Sequence, residues 1–248
     1  MRIDLNCDLG EGCGDDAAIV PWISSASIAC GGHAGDEATM RATLALCRTH
    51  GVAAGAHPGY PDREHFGRRE LDLSPGALRE TLLAQMARLR AVAGAEGVRL
   101  AHVKPHGALY NRAARDAGVA AVVVEAVRAF DPALTLYALS GSLLAETAAH
   151  AGLRVAHEAF VERGYGADGH LLPRGTPGAV LDTVDAAVAQ ARALLRGALR
   201  ARDGTKLAIR ADTLCLHGDR PDAAAFARAL REALGNDGVA VLPFGASA

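Results

Sequence analysis

With 248 residues, half of them apolar, the chain is long enough for one large core or two modest ones, and no Pro- or Ser-rich linker divides it, so one domain over 1–248 is expected. A formal net charge of −2 gives no electrostatic reason to expect nucleic acid or an anionic membrane surface, which leaves small molecules as the default partners. No run of eighteen uncharged apolar residues occurs and MRIDLNCDLGEG lacks an apolar h-region, so a soluble, cytoplasmic protein is expected.

Short apolar runs alternate with longer helical patterns along the chain. Ile3–Cys7 and Ser27–Cys30 read as the first two strands, followed by a helix over Asp36–His50 with Met40, Leu44 and Cys47 on one side. Val52–Ala56 is the third run. Ser74 and Pro75 open a helix whose stripe is Leu78, Leu82, Met86 and Leu89, and Val98–Val103 is the fourth run. Then come a helix over Asp116–Phe130, strands over Leu134–Leu139 and Leu153–His157, and a helix over Ala179–Arg202. A strand over Thr213–Leu216, a helix over Pro221–Leu234 and a last short run at Val239–Leu242 complete the series. This rhythm, with no GxGxxG after the first strand, predicts an α/β fold, a single-domain distorted β/α barrel of seven or eight mostly parallel strands. An open doubly wound sheet is the alternative. The five cysteines, Cys7, Cys13, Cys30, Cys47 and Cys215, form no CxxC pair and leave an odd thiol, which fits a reducing compartment and core packing.

Active sites of such barrels lie at the C-terminal ends of the strands, where the βα loops are free to vary. Asp8 and the GEGCG loop with Glu11 follow the first run, and GGHAGD with His33 and Asp36 follows the second. HPGYPD with His57 follows the third, EAFVERGY the sixth, and HGD with His217 and Asp219 the seventh. After the fourth run comes HVKPHGALYN. Pro105 forbids a helical pairing of its two histidines, so extended backbone points His102, Lys104 and His106 to one side. One histidine at a strand end is usually structural; four, at 33, 57, 106 and 217, each followed by Gly, Ala or Pro, favour a site. His50, His65, His150 and His170 read as surface or structural residues, and His102 as either core or a support for the site.

The successive segments DLNCDLGEG, IACGGHAGD, GAHPGYPD, FGRRELDLS, HVKPHGALYN, GYGADGHLLPR and CLHGD, in order from residue 4 to residue 219, resemble the signatures of the lactam-utilisation family, the A subunits of bacterial 5-oxoprolinases. The resemblance implies a barrel related to the sugar deacetylases and hydrolysis of the lactam 5-oxoproline to L-glutamate, with ATP going to ADP and phosphate. It also implies ATP with Mg²⁺ as cofactor, no structural metal, and two further subunits, B and C, as partners. Ser27 stands where that family usually has asparagine, Gly32 where it has an aromatic residue, and FVER at 160 to 163 replaces a phenylalanine–alanine–aspartate–arginine run; the first loop is shortened.

The implied chemistry assigns roles. Phosphoryl transfer to the amide oxygen makes that oxygen a leaving group and calls for a cation and an acid for the ring nitrogen. Lys104 is the candidate cation, paired by Asp8 or Glu11, with a structural salt bridge as the plainer reading. His57 or His106 is the candidate acid. Asp8, His57, Lys104 and His106 therefore form the expected catalytic set, and Asn6, Glu11, His33, Asp36, Arg68, Arg69, Tyr110, Asn111, Arg163, His217 and Asp219 the expected substrate- or nucleotide-binding set. Arg68, Arg69 and Arg163 suit a carboxylate. Glycines 10, 12 and 14 could offer N–H groups to phosphates or simply make a turn. Two competitors stand beside this reading: a metal-dependent deacetylase or hydrolase with Asp8, His33 and His57 as ligands, and a non-catalytic subunit that positions partners.

Overall fold

The first strand, β1 (Arg2–Leu9), shows how the architecture arises. Ile3, Leu5, Cys7 and Leu9 alternate with Asp4, Asn6 and Asp8, and both sets are buried. Side chains alternate across a strand, so one face of β1 is an apolar wall for helices while the other carries polar groups into an enclosed space. A closed barrel supplies that space. In the computed structural model, which describes residues 1–173 and 175–246, the remaining strands are β2 (Ser25–Ala29), β3 (Ala53–His57), β4 (Leu100–Val103), β5 (Thr135–Leu139), β6 (Arg154–Phe160), β7 (Thr213–His217) and the two-residue β8 (Ala240–Val241).

Each strand from β2 to β6 pairs in parallel with the next, and β1 closes the ring by pairing with both β2 and β7. The register sets Asp8 opposite Ser27 on one side and His217 on the other. Strand β8 adds to β1 at Arg2 and Ile3, outside the ring. The fold is thus a closed seven-stranded parallel barrel with one extra strand, and the β1–β2 pairing removes the open-sheet alternative.

The helices are α1 (Asp16–Ile19), α2 (Glu37–His50), α3 (Pro75–Ala95), α4 (Gly107–Ala113), α5 (Ala117–Phe130), α6 (Leu143–His150), α7 (Val184–Leu195) and α8 (Ala223–Asn236). Asp36 and Thr39 form a reciprocal capping box at the start of α2, and Ser74 caps α3 with Pro75 in its first turn. Two expectations need correction. The helix expected over 179–202 contracts to α7, because Thr183 caps it at one end and Gly197, at φ 61°, stops it at the other. Helices α1, α4 and α6 were not expected; α4 starts inside HVKPHGALYN, where His106 ends the extended stretch. Among the described residues no helix is long and apolar enough to cross a membrane.

At the floor of the barrel Asp4 is fully enclosed and accepts four hydroxyl hydrogen bonds. They come from Ser24 (2.6 Å) and Ser25 (2.7 Å) to Oδ1, and from Tyr137 (2.9 Å) and Thr213 (2.6 Å) to Oδ2. Burial pushes its carboxyl above the ordinary value and the four donors offset this only in part. Asp4 ties β1 to β2, β5 and β7. Asp4→Ala is expected to destabilise the fold by about 2–4 kcal/mol, since four buried hydroxyls lose their common acceptor and re-pair incompletely. Urea denaturation checks this; an unchanged midpoint contradicts the tie.

Candidate active site

Above that floor the barrel holds a buried ammonium. The Lys104 N–H bonds the Ala56 carbonyl at 2.9 Å and Pro105 stops further pairing, so the Lys104 side chain turns into the lumen. Its Nζ donates to Asp8 Oδ1 (2.8 Å), Asn6 Oδ1 (3.1 Å) and Cys215 Sγ (3.1 Å), and pairs with Glu158 Oε1 at 2.9 Å. Burial alone would lower the Lys104 pKa, but the neighbouring Asp8, Cys215 and Glu158 outweigh it and raise it well above the ordinary value. Asp8 is the mirror image: burial works against its charge, yet His57 and Lys104 hold it well below the ordinary value. Asn6 is a strut, donating to Glu158 Oε1 at 2.9 Å and Thr213 Oγ1 at 2.7 Å while accepting from Lys104.

Three imidazoles lie beside this centre. His57 Nδ1 meets the Lys104 carbonyl at 2.7 Å, and His57 Nε2 lies 2.9 Å from His106 Nδ1 and 3.4 Å from Asp8 Oδ2. His106 Nε2 meets the Phe66 carbonyl at 2.9 Å. His33 stacks on His106 with centroids 3.5 Å apart and planes 2° from parallel, and its Nε2 is 3.1 Å from Glu11 Oε1. Burial and the nearby Asp8 charge push Glu11 up to about 9, so at neutral pH it is a neutral acid able to donate to His33. Burial, then the neighbouring imidazoles, pulls His33 far down, and burial followed by His57 pulls His106 down to about 3. His102, below them, is also pulled to about 3 by burial; it stacks on Tyr137 and contacts Ser27 Oγ at 3.2 Å. It supports the site from within the barrel.

The metal reading named Asp8, His33 and His57, and among the described residues these three do not come together as one ligand group. Ligand atoms of Glu11, His33, His57 and His106 come within 4.8 Å of one another, as do those of Asp8, Cys215 and His217. An imidazole binds a metal in its own plane, however, and two parallel rings 3.5 Å apart share no in-plane point. In the second group the Lys104 ammonium already sits against Asp8 and Cys215.

A cavity of about 720 Å³ opens over these groups, lined by Asp8, His57, Lys104 and His106 from the centre and by Arg68, Tyr110, Asn111, Arg163 and His217 around them. Arg68 pairs with Asp219 at 2.5 Å. Arg163 donates through Nε to the Ala179 carbonyl (3.1 Å) and through Nη2 to Leu172 (2.6 Å), which clamps the loop after β6. Glu162 binds His217 Nδ1 with one oxygen and Arg220 Nη1 (2.9 Å) with the other; these partners overcome burial and hold its pKa below the ordinary value. Burial, then Glu158, raises Tyr110 well above its usual range.

Six expected binding residues, Asn6, Glu11, His33, Asp36, Arg69 and Asp219, are not in the cavity lining; Asn6 contacts Lys104, Glu11 pairs with His33 beside the imidazoles and Asp219 pairs with Arg68, whereas Asp36 and Arg69 lie apart from the site. Asp36 spends its carboxylate capping α2, and exposed Arg69 contacts His65 Nε2 at 2.9 Å. His170, read as surface or structural, is exposed and also lines the cavity wall with Asp168. Glycines 10, 12 and 14 have φ of 70°, 75° and 82°, and the Gly10 N–H already bonds Asp16, so the turn itself requires them. At Gly32 a Cβ would come within 2.3 Å of Gln85, whose amide brackets Gly59; Gln85 takes the space an aromatic residue would fill. Glu158 was missed because the sixth apolar run was ended at His157, three residues short of the end of β6.

Glu11 generates a pH prediction. Its folded pKa is raised above the unfolded 4.5, so its contribution to stability is full below pH 4.5 and is lost as pH rises towards 9. Glu11→Gln removes this loss: denaturation at pH 5 and pH 8.5 should show the variant gaining on the wild type at the higher pH. Parallel profiles would contradict a neutral Glu11.

The comparisons with known proteins agree with one another. The family model described as LamB/YcsF family matches residues 3–248. A protein of Syntrophobacter fumaroxidans, named as the A subunit of 5-oxoprolinase, is 52% identical over 99% of this chain and 100% of its own length. One of the same name from Bordetella pertussis is 49% identical over 96% of this chain and 97% of its own. The crystal structure of a lactam utilization protein from Thermus thermophilus superimposes with a TM-score of 0.93 at 47% identity, covering 98% of this chain and 100% of the other. On the family match, the relatives and the shared barrel, this chain belongs to the LamB/YcsF family.

Proposed function

We propose that this chain is the lactam-binding subunit of an ATP-dependent 5-oxoprolinase, opening 5-oxoproline to L-glutamate together with subunits B and C in the cytoplasm. The observation that supports it most is the Lys104 ammonium, held beside the His57–His106 pair under a cavity of about 720 Å³ that also carries Arg68. The names of its relatives add the substrate and the place in a larger enzyme.

The lactam carbonyl is a poor electrophile because its nitrogen lone pair is delocalised onto oxygen. A fixed ammonium at that oxygen polarises the bond without reorganising in the transition state. Lys104 would do this with its charge maintained by Asp8 and Glu158. ATP, with Mg²⁺, would supply the phosphoryl group that turns the carbonyl oxygen into a leaving group; the cavity is of a size for such a ligand, and Arg68 and Lys104 suit its phosphates. The ring nitrogen then needs a proton before the C–N bond can break, because an amide anion is a far worse leaving group than an amine. His57 and His106 line the same cavity and would deliver it. Arg163, committed to backbone carbonyls, shapes the pocket wall, and His217, oriented by Glu162, faces the substrate from the opposite strand.

Two outcomes test this reading. The purified chain alone should open no lactam, and adding subunits B and C should yield ADP and glutamate in equal amounts. With 5-oxoproline labelled by ¹⁸O at the lactam carbonyl, the label should appear in the released phosphate. Ring opening by the isolated chain without ATP, or phosphate free of label, would overturn the proposal and favour direct hydrolysis.

A further inference from the structure

We propose that His57 and His106 hold three protons on their four ring nitrogens, a single positive charge shared across the Nε2–Nδ1 contact, and that Phe66 is the positioning residue whose backbone carbonyl enforces this state. A carbonyl oxygen only accepts. His57 Nδ1, 2.7 Å from the Lys104 carbonyl, and His106 Nε2, 2.9 Å from the Phe66 carbonyl, must therefore both carry hydrogen. That leaves the two inner nitrogens bare and facing each other at 2.9 Å. Two lone pairs at that distance repel, and one further proton turns the repulsion into a charge-assisted hydrogen bond.

The surrounding charges fit a monocation. Lys104 pairs with both Asp8 and Glu158, which leaves one negative charge over, and the other Asp8 oxygen lies 3.4 Å from His57 Nε2. Asp8 on β1 favours the charge, while burial, then a charge on His57, and Arg68 in the loop after β3 hold His106 down and so oppose a second one; the Lys104 ammonium after β4 faces the pair across Asp8, and His33 after β2 stacks on His106. Glu11, 3.4 Å from His106 Nδ1, contributes a neutral carboxyl, and His217 at the end of β7 acts through Asp8.

Phe66 is held at φ 54°, and no other non-glycine among the described residues has a positive φ. A side chain in that region strains the backbone, which marks a conformation kept for another reason. That reason is the direction of its carbonyl. The next residue, Gly67, passes so close over the site that a Cβ there would lie 2.6 Å from His33 Cβ and 2.9 Å from His106 Cδ2. Backbone at Phe66 and Gly67 thus joins His57 and the stacked His33 in fixing the ring orientation of His106.

The catalytic use of this charge rests on the lactam-opening reading; the proton count does not. As the C–N bond breaks, its electron pair stays on nitrogen and takes the shared proton, leaving the imidazole pair neutral. The water that adds to the lactam carbon before this cleavage gives one proton to solvent and leaves a hydroxyl there, whose proton, released as the C=O bond re-forms, reloads the pair.

Long-range ¹H–¹⁵N correlation on the full chain with ¹⁵N-labelled histidine tests the proposal at pH 7. Expected are a protonated His57 Nδ1, a protonated His106 Nε2 and a third proton on the inner contact. Two neutral rings, or a His106 with bare Nε2, would overturn it. Phe66→Gly keeps both carbonyl and φ and should preserve the pattern; Phe66→Ile, whose branched side chain resists positive φ, should scramble the His106 tautomer. In the three-subunit enzyme Phe66→Ile should lower kcat on the order of 10²-fold with KM little changed, and Phe66→Gly should recover much of it. If glycine disturbs the tautomer as much as isoleucine does, the ring and not the carbonyl positions His106, and the Phe66 assignment fails. Should Phe66→Ile not fold, the wild type and the glycine variant decide both halves. A wild type with three protons that opens no lactam would refute the functional reading alone.

Discussion

The structure depends on keeping one ammonium charged inside a barrel. Removing Lys104 from water would neutralise it unless several partners met it at once, and those partners come from strands far apart in sequence: Asn6 and Asp8 on β1, Glu158 on β6 and Cys215 on β7. Each must arrive within hydrogen-bond distance, so the strand registers are linked to one another through this point. Breaking such a pair by deleting one partner typically costs about 3–5 kcal/mol, because a buried charge is left alone. Glu158 and Asn6 serve the candidate site by holding Lys104.

That requirement explains a barrel interior unlike the branched apolar layers usual in larger β/α barrels. Here the lumen is a stack of polar groups, from Asp4 and its four hydroxyl donors at the floor, through Asn6, Glu158 and His102, to Asp8, Lys104 and the imidazoles at the mouth. Stability comes from the other face of the same strands, where Ile3, Leu5, Ile28 and Leu214 pack under a shell of helices through Met40, Leu44, Met86 and Leu230. The division lets the site be rigid without apolar filling, since groups on strands are placed more accurately than groups on loops.

Much of this was legible in the chain. Strand-and-helix rhythm suffices for the barrel because parallel strands buried on the outer side leave compact apolar runs, and acid–base residues just after those runs disclosed Asp8, His57, Lys104, His106 and His217. The polar lumen was harder to see. Asp4 and Asn6 alternate with apolar residues as on any half-exposed strand, and only closure of the ring turns the polar half inward. Glu158 lies where β6 runs on past its apolar stretch. Asp36 shares a motif with His33 but serves its helix, which the Asp36-to-Thr39 spacing already permits as a capping box. Nothing in a sequence pattern foretells a phenylalanine at positive φ, because that conformation is imposed by contacts among loops that meet only after folding.

In the proposed reaction everything turns on the charge of Lys104 acting at the lactam oxygen. Turnover by the proposed complex with subunits B and C, carrying Lys104→Ala, with and without added methylammonium and with the fold confirmed by circular dichroism, tests this most directly. The account predicts loss of turnover and a saturable partial recovery as the small cation fills the space between Asp8 and Glu158. Near-wild-type turnover by the folded variant without any added cation would contradict it.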